Sequence, residues 1–216
     1  MKSYVITIMQ EERSVGSAKR CINSMPEHDV QMFHAFTPKD KPKKLLEAKW
    51  VETRFFEDET YSYKQNCMAA FLSHYTLWEQ CVSENEEYQI FEHDAVALNT
   101  IPEFIPHNGC ISLGAPSYGR FVQPEGFGAI PLKSKEYFPG AHAYRVSPKG
   151  ARKLLEVAAE QAGPTDVFLG LERFPWLQEY YPWPVVADDS FSTIQRRTGC
   201  LAKHNWNSNF GIYRIN

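Results

Sequence analysis

Two carboxylates one residue apart, Glu92 and Asp94, follow the short apolar run Tyr88-Gln89-Ile90-Phe91, with His93 between them. Side chains on an extended backbone alternate with a period of two, so both acids would leave a strand end on the same side and could share one cation. A hard divalent ion takes oxygen ligands, and Mg²⁺ or Mn²⁺ held by one or two carboxylates completes its shell with substrate phosphates and water. Open α/β sheets collect ligands beyond the carboxyl ends of their strands, where this pair would sit. The plainer reading of the three residues alone is a pair of turn acids after a strand.

The elements that would position these acids can be read from patterning. Tyr4 to Ile8 is β-branched and predicts a strand, followed by a polar stretch to Ser17 and a short helix over 17–25 that stops at Pro26. Residues 31–36 and 50–56 read as two further strands, separated by a solvated Lys/Pro-rich loop over 38–44. From Lys64 to Ser83 apolar residues recur at helical spacing with no Gly or Pro, and the strand of Tyr88 to Phe91 follows at once. A helix feeding a strand suggests a parallel sheet. Residues 109–115 and 142–146 read as strands, and the Gly/Pro/aromatic-rich 116–140 as a long functional loop or small hairpin. Ser147-Pro148 opens a helix to about Ala162, with Ser147 as N-cap and Pro148 in the first turn. A short helix is expected over 168–172 and a strand over 185–187. The fold class is α/β with a mostly parallel central sheet, in a single domain over 1–216 with residues 173–216 as a cap or tail.

Composition narrows the partners. The chain has 216 residues, 43% hydrophobic and 14% aromatic, enough for a buried core. Its net charge of -3, from 23 basic and 26 acidic residues, gives no overall attraction to nucleic acid or to anionic membrane. No run approaches the roughly 18 apolar residues of a membrane span, and Met1 to Val5 leads into a strand rather than a signal peptide, so a cytoplasmic location is expected. Five widely spaced cysteines without a CxxC pair point to reduced core residues rather than a disulfide framework or zinc site.

Val5 to Ile8, Phe71 to Trp78, Phe91 to Ala95, Gly140 to Leu155 and Pro164 to Asp166 are five stretches that, in this order, resemble glycosyltransferase family 25, the lipooligosaccharide and procollagen galactosyltransferase-like family. The first, Val5-Ile6-Thr7-Ile8, has the trailing Glu12, Arg13 and Arg20; Phe71-Leu72-Ser73-His74-Tyr75-Thr76-Leu77-Trp78 is similar to that family's "LSH...W" helix; and at Phe91-Glu92-His93-Asp94-Ala95 the family has Glu-Asp-Asp. Gly140-Ala141-His142-Ala143-Tyr144 continues through Ser147 to Leu155, and Pro164-Thr165-Asp166 comes last. This chain departs at Ala69-Ala70 (Gly-Cys in the family), at His93 (Asp) and at Ala141 (Thr). His93 lowers the charge of the acidic motif and would alter metal preference or contacts to the ribose.

The resemblance implies a GT-A-like nucleotide-diphosphosugar-binding sandwich and transfer with inversion from a nucleotide-sugar, with a UDP-sugar expected. It implies Mn²⁺ or Mg²⁺ on Asp94 and Glu92, with a late histidine, His204, reaching the ion. Asp166 is the candidate base for the acceptor hydroxyl, against the plainer role of capping a helix. Thr7, Arg13, Ser73, His74, Glu92, His93, Gly140 and His142 are candidates for donor contacts, although Ser73 and His74 lie on a helix that must bury an apolar face. Trp176, Tyr180 and Trp183 are candidates to stack on the acceptor sugar, or form a packed cap. The acceptor expected first is a surface glycan or lipooligosaccharide. A phage-type alternative, in a host cytoplasm, uses Gln195-Arg196-Arg197, Lys203, His204 and Trp206 as a basic and aromatic surface for hydroxymethylated cytosine in DNA. A catalytically inactive nucleotide-sugar-binding module, with His93 as the lesion, is the remaining alternative.

Overall fold

The computed structural model describes residues 1–57, 63–117, 119–188 and 194. Its strands are β1 (Lys2–Thr7), β2 (Val30–His34), β3 (Tyr88–Glu92), β4 (Ala95–Ala97), β5 (Cys110–Ser112), β6 (Gly128–Pro131), β7 (Ala143–Val146), β8 (Gln178–Tyr181) and β9 (Val185–Ala187). Its helices are α1 (Glu12–Asn23), α2 (Pro42–Ala48), α3 (Arg54–Glu57), α4 (Lys64–Glu84), α5 (Pro148–Gln161) and α6 (Thr165–Phe168). The main sheet has the order β2-β1-β3-β7-β5-β8-β6. Five of these seven strands run one way and only β7 and β6 run against them, so the sheet is mostly parallel as expected. β4 and β9 pair as a separate two-stranded ribbon.

Alternation along each strand divides the core in two. Ile6, Tyr88, Ile90, Cys110, Tyr144 and Val146 face α4 and α5, while Val5, Phe91, Ile111, Leu113 and Ala143 face α1. α4 is buried nearly all round, because Met68, Phe71, Leu72, Tyr75, Trp78 and Cys81 meet the sheet, α5 and α6 together. Each large side chain so buried contributes about 1.5–3 kcal/mol. The helix ends at Asn85, whose φ of 52° is the left-handed turn that Asn tolerates. α5 begins as expected: the Ser147 hydroxyl accepts from the Gly150 amide at 3.2 Å and Pro148 occupies the first turn.

Several expectations are corrected. α1 starts at Glu12, not at Ser17, because its buried face is built from the small residues Ser14, Ser17, Ala18 and Cys21 rather than from large apolar ones. The supposed loop over 38–44 holds a 3-10 turn and the start of α2, with Pro42 at its N-terminus. Residues 50–56 are no strand: the amides of Val51 and Glu52 bond to Leu46 and Ala159 of neighbouring helices, and Arg54 opens α3. The helix expected over 168–172 lies instead at Thr165–Phe168, and Gly170 bridges to Tyr137. The long 116–140 segment supplies β6, which pairs with β8 in the stretch read as an aromatic cap. Among the described residues no helix is long and apolar enough to cross a membrane.

Candidate functional site

A row of side chains crosses the sheet at the carboxyl end of β3. Ile6 pairs with Glu92, the Glu92 amide donates to the His142 carbonyl at 2.9 Å, and Gly114 comes next because the Leu113 amide donates to Ala143. Residues opposite one another in a ladder project to the same face, so Glu92 and His142 both stand on the side that α4 covers. Gly114 has no side chain because the His142 ring occupies that space: a Cβ there would lie 2.3 Å from Nε2. His142 is delivered by two consecutive left-handed residues, Gly140 (φ 84°) and Ala141 (φ 46°). The second is a conformation that costs any residue with a Cβ roughly 1–3 kcal/mol.

Beside this row a small cleft of about 70 Å³ opens at the carboxyl ends of β1, β2 and β3, well below the roughly 300–1,000 Å³ of fully formed small-molecule sites. Ile8, Phe36 and Pro38 give it apolar walls, Ala69 and Ala70 of α4 leave it room, and Glu92 and His93 close one end. Ser73 also lines it, but its hydroxyl is committed: it accepts from the Phe36 amide at 3.0 Å and donates to the Ala69 carbonyl at 2.9 Å. Ser73 thus pins the exit of β2 to α4 and shapes the cleft wall. Thr7 is fully buried, with its hydroxyl donating to Val5, and does not line the cleft. Arg13 is exposed on the first turn of α1, and Arg20 pairs with Asp188 at 2.9 Å.

Electrostatics gather three of the expected residues. His74 is buried, with Nε2 3.3 Å from Glu92 Oε1. Burial pushes its pKa down to about 3, against a weaker upward pull from the Asp166 charge. Burial, then the Asp166 charge, pushes the Glu92 carboxyl up to about 8. The His74 contact is therefore a hydrogen bond between neutral groups near pH 7 rather than an ion pair. Asp166 sits in the first turn of α6, one carboxylate oxygen accepting from the Val167 amide at 2.9 Å. His93 is also neutral, pushed down to about 4 by burial and then by Arg20, and its Nδ1 lies 3.2 Å from the Ser14 hydroxyl on α1.

The premise that Glu92 and Asp94 leave an extended strand together does not hold, because the chain turns at His93-Asp94 before β4. Glu92 opens on the cleft, whereas Asp94 is turned toward α1, where its charge adds to burial in pushing the Cys21 thiol up to about 12. Among the described residues no three His, Cys, Asp or Glu side chains gather to hold a metal, and His204 lies outside the described residues. The donor chemistry still fits a hard ion that keeps phosphates and water in its shell. Glu92 is an oxygen ligand beside an open cleft, and it holds a proton mainly because it is buried beside another acid, the proton that a cation would displace.

The three aromatic candidates do not come together. Trp176 packs against Gly109 and under the Lys153 ammonium at 5.1 Å, and Tyr180 joins the core on the α1 side. Trp183 donates from its indole to the buried Glu179 at 3.0 Å and packs edge-on to Phe121 and Tyr181. Phe127, 78% exposed, rests on Tyr181. Lys203, Trp206 and the basic run from Gln195 to Arg197 lie outside the described residues. Tyr144, Trp78, Gly114 and Ser14 all shape the site and were not proposed as site residues from the sequence, although Trp78 and Tyr144 lie within the motifs quoted there. Gly114 alone carried a local signal, as a glycine closing a strand.

The family model described as glycosyltransferase family 25 (LPS biosynthesis protein) matches residues 1–107. Over those residues the chain is similar to glycosyltransferase family 25. The matched half carries β1, α1, α4, β3 and the acidic turn, the parts that surround the cleft. A curated relative, lipooligosaccharide biosynthesis protein lic2B of Haemophilus influenzae, is 22% identical over 151 residues. That alignment covers 69% of this chain and 52% of the relative, so the chain spans about half the length of the relative it matches.

Proposed function

We propose that the protein is a glycosyltransferase that moves a sugar from a nucleotide-sugar, in first place a UDP-sugar, to the hydroxyl of a surface glycan. The observation that carries this reading is the cleft at the ends of β1, β2 and β3, closed by a Glu92 carboxyl that feels Asp166. The apolar walls of Ile8, Phe36 and Pro38 suit the flat face of a base, and the Glu92 end suits the sugar diphosphate. Glu92, the acid that opens on the cleft, would hold Mn²⁺ or Mg²⁺ together with substrate phosphates and water, and the ion when bound supplies positive charge to the departing diphosphate. Asp166 takes the proton of the acceptor hydroxyl as that oxygen bonds to the anomeric carbon and the bond to the phosphate breaks, with inversion. His142 and the left-handed Gly140-Ala141 turn bring backbone close to the sugar. The glycan acceptor is favoured by the named role of the relative in lipooligosaccharide biosynthesis.

The test is a thermal-shift panel of nucleotide sugars with and without Mn²⁺, followed by assays of donor hydrolysis and of transfer to lipooligosaccharide. A ligand at 100 times its Kd adds about 2.7 kcal/mol to the folded state. A Mn²⁺-dependent rise with one nucleotide, and turnover of its sugar, is the expected result. No shift with any nucleotide sugar would remove the proposal, and binding without turnover would favour a non-catalytic binding module.

A further inference from the structure

We propose that Trp78, Tyr144 and His74 form a buried hydrogen-bond relay that fixes His74 as the Nε2–H tautomer and thereby positions the Glu92 carboxylate at the cleft. The direction of the relay follows from its first member. An indole N–H can only donate, so the Tyr144 oxygen, 2.9 Å from Trp78 Nε1, accepts. The phenol proton must then go elsewhere, and among the described residues its partner is His74 Nδ1 at 2.9 Å. Nδ1 therefore accepts, the ring proton lies on Nε2, and Nε2 faces Glu92 Oε1 at 3.3 Å. In the opposite arrangement Nδ1 donates to Tyr144 and a phenol proton is left without an acceptor inside a dry core, a costly state. Trp78, Tyr144 and His74 are exposed by no more than 1%.

The relay joins three elements at the site. His74 and Trp78 are one helical turn apart on the same face of α4, Tyr144 lies on β7 two residues beyond His142, and Glu92 ends β3. A buried histidine can donate its second ring N–H to a backbone carbonyl or to a carboxylate. This one ends on a carboxylate whose side chain is 25% exposed and lines the cleft. With Oε1 held by His74, the second carboxylate oxygen is left to face the donor site, and the three residues act as positioning residues. Such supporting hydrogen bonds fix both the tautomer and the orientation of the groups they serve.

The functional half of this inference rests on the transferase reading; the tautomer does not. Two-bond ¹H–¹⁵N spectra of the ¹⁵N-labelled full chain near pH 7, with His74 assigned by its loss in His74→Gln, should show a pure Nε2–H imidazole. Tyr144→Phe should turn that signal into a mixture of tautomers. An Nδ1–H or imidazolium signature in the unaltered chain overturns the relay. With UDP-glucose and UDP-galactose plus Mn²⁺, His74→Phe should lower kcat about 10–100-fold with KM changed less than about threefold, and His74→Gln, which keeps a donor toward Glu92, should recover most of the loss. A folded His74→Phe with unchanged kcat overturns the positioning role. If the unaltered chain turns over neither donor, the transferase reading is what fails for those sugars, and the spectra still decide the relay.

Discussion

The His142 ring lies over Gly114 so closely that a single methyl group on Gly114 would sit 2.3 Å from Nε2 and 2.6 Å from Cε1. The His142 backbone is held in place by the Glu92 amide, which donates to its carbonyl, so the strand itself does not give way. Gly114→Ala must therefore rotate the ring or bend the end of β5. Overpacking of this kind costs typically 1–3 kcal/mol. The expected outcome is a lowered urea midpoint together with weakened nucleotide-sugar binding. Unchanged binding in the substituted protein would separate His142 from the donor.

Stability should depend on pH in a way that singles out Glu92. Its folded pKa, raised to about 8 from an ordinary 4.5, means that the folded state holds a proton that the unfolded state has lost. The contribution is fully present below pH 4.5 and is lost as pH rises through 8. His74 and His93, lowered to about 3 and about 4, act in the opposite sense and only below pH 6.5, where the unfolded state gains protons that the folded state refuses. Between pH 6.5 and 8 the contribution of Glu92 declines. Urea midpoints should fall more across that window in the parent chain than in Glu92→Gln. Partial exposure of the Glu92 side chain moderates the size of the effect.

The fold and the site were legible to different depths. α4, β1, β3 and α5 could be read because their signals are local: helical spacing, β-branching, and a Ser-Pro cap. α1 was placed late because Ser14 and Ser17 read as polar, yet they are small enough to pack against the sheet, and that is a property of the neighbour rather than of the residue. β8 was missed because Gln178, Glu179, Tyr180 and Tyr181 become a strand only by pairing with β5 and β6, and Glu179 is tolerated inside only because the amides of Lys133 and Ser134 and the Trp183 indole all donate to it. Glu92, His74 and Asp166 were found in sequence, but their mutual influence was not, since it depends on α4 and α6 meeting over the end of β3. The expected sharing of one cation by Glu92 and Asp94 relied on an extended backbone, and the turn at His93 removes that basis.

The cleft should close when its α4 wall is enlarged. Ala70 is partly exposed and lines the space opposite Phe36 and Pro38, so Ala70→Phe fills volume without entering the packed core. Nucleotide-sugar affinity should fall by at least about tenfold, equivalent to 1.4 kcal/mol. The melting temperature of the free protein should hardly move. Donor binding that survives this substitution would place the nucleotide elsewhere.

Phe127 offers a separate handle on the acceptor. It is exposed, touches Tyr181, and takes no part in the Glu179 hydrogen bonds, so Phe127→Ala should leave stability within about 0.5 kcal/mol. If the Phe121, Tyr181 and Trp183 group receives an acceptor sugar, KM for the acceptor should rise severalfold while donor hydrolysis is unaltered. Equal kinetics for the two proteins would assign the aromatic group to packing alone.

Asp166 makes the sharpest demand, because one substitution has two independent consequences. As the base, it should be worth about 10²–10⁴ in rate, so Asp166→Asn should abolish most transfer while nucleotide-sugar binding persists. As the charge that helps raise Glu92, its removal should also lower the Glu92 pKa, and the decline in urea midpoint between pH 6.5 and 8 should move to lower pH. Burial, the larger cause, remains, so the shift is partial. Loss of transfer with an unmoved pH profile would make Asp166 a base remote from Glu92. A moved profile with full transfer would leave it a neighbouring charge in the first turn of α6, and the proton of the acceptor would need another destination.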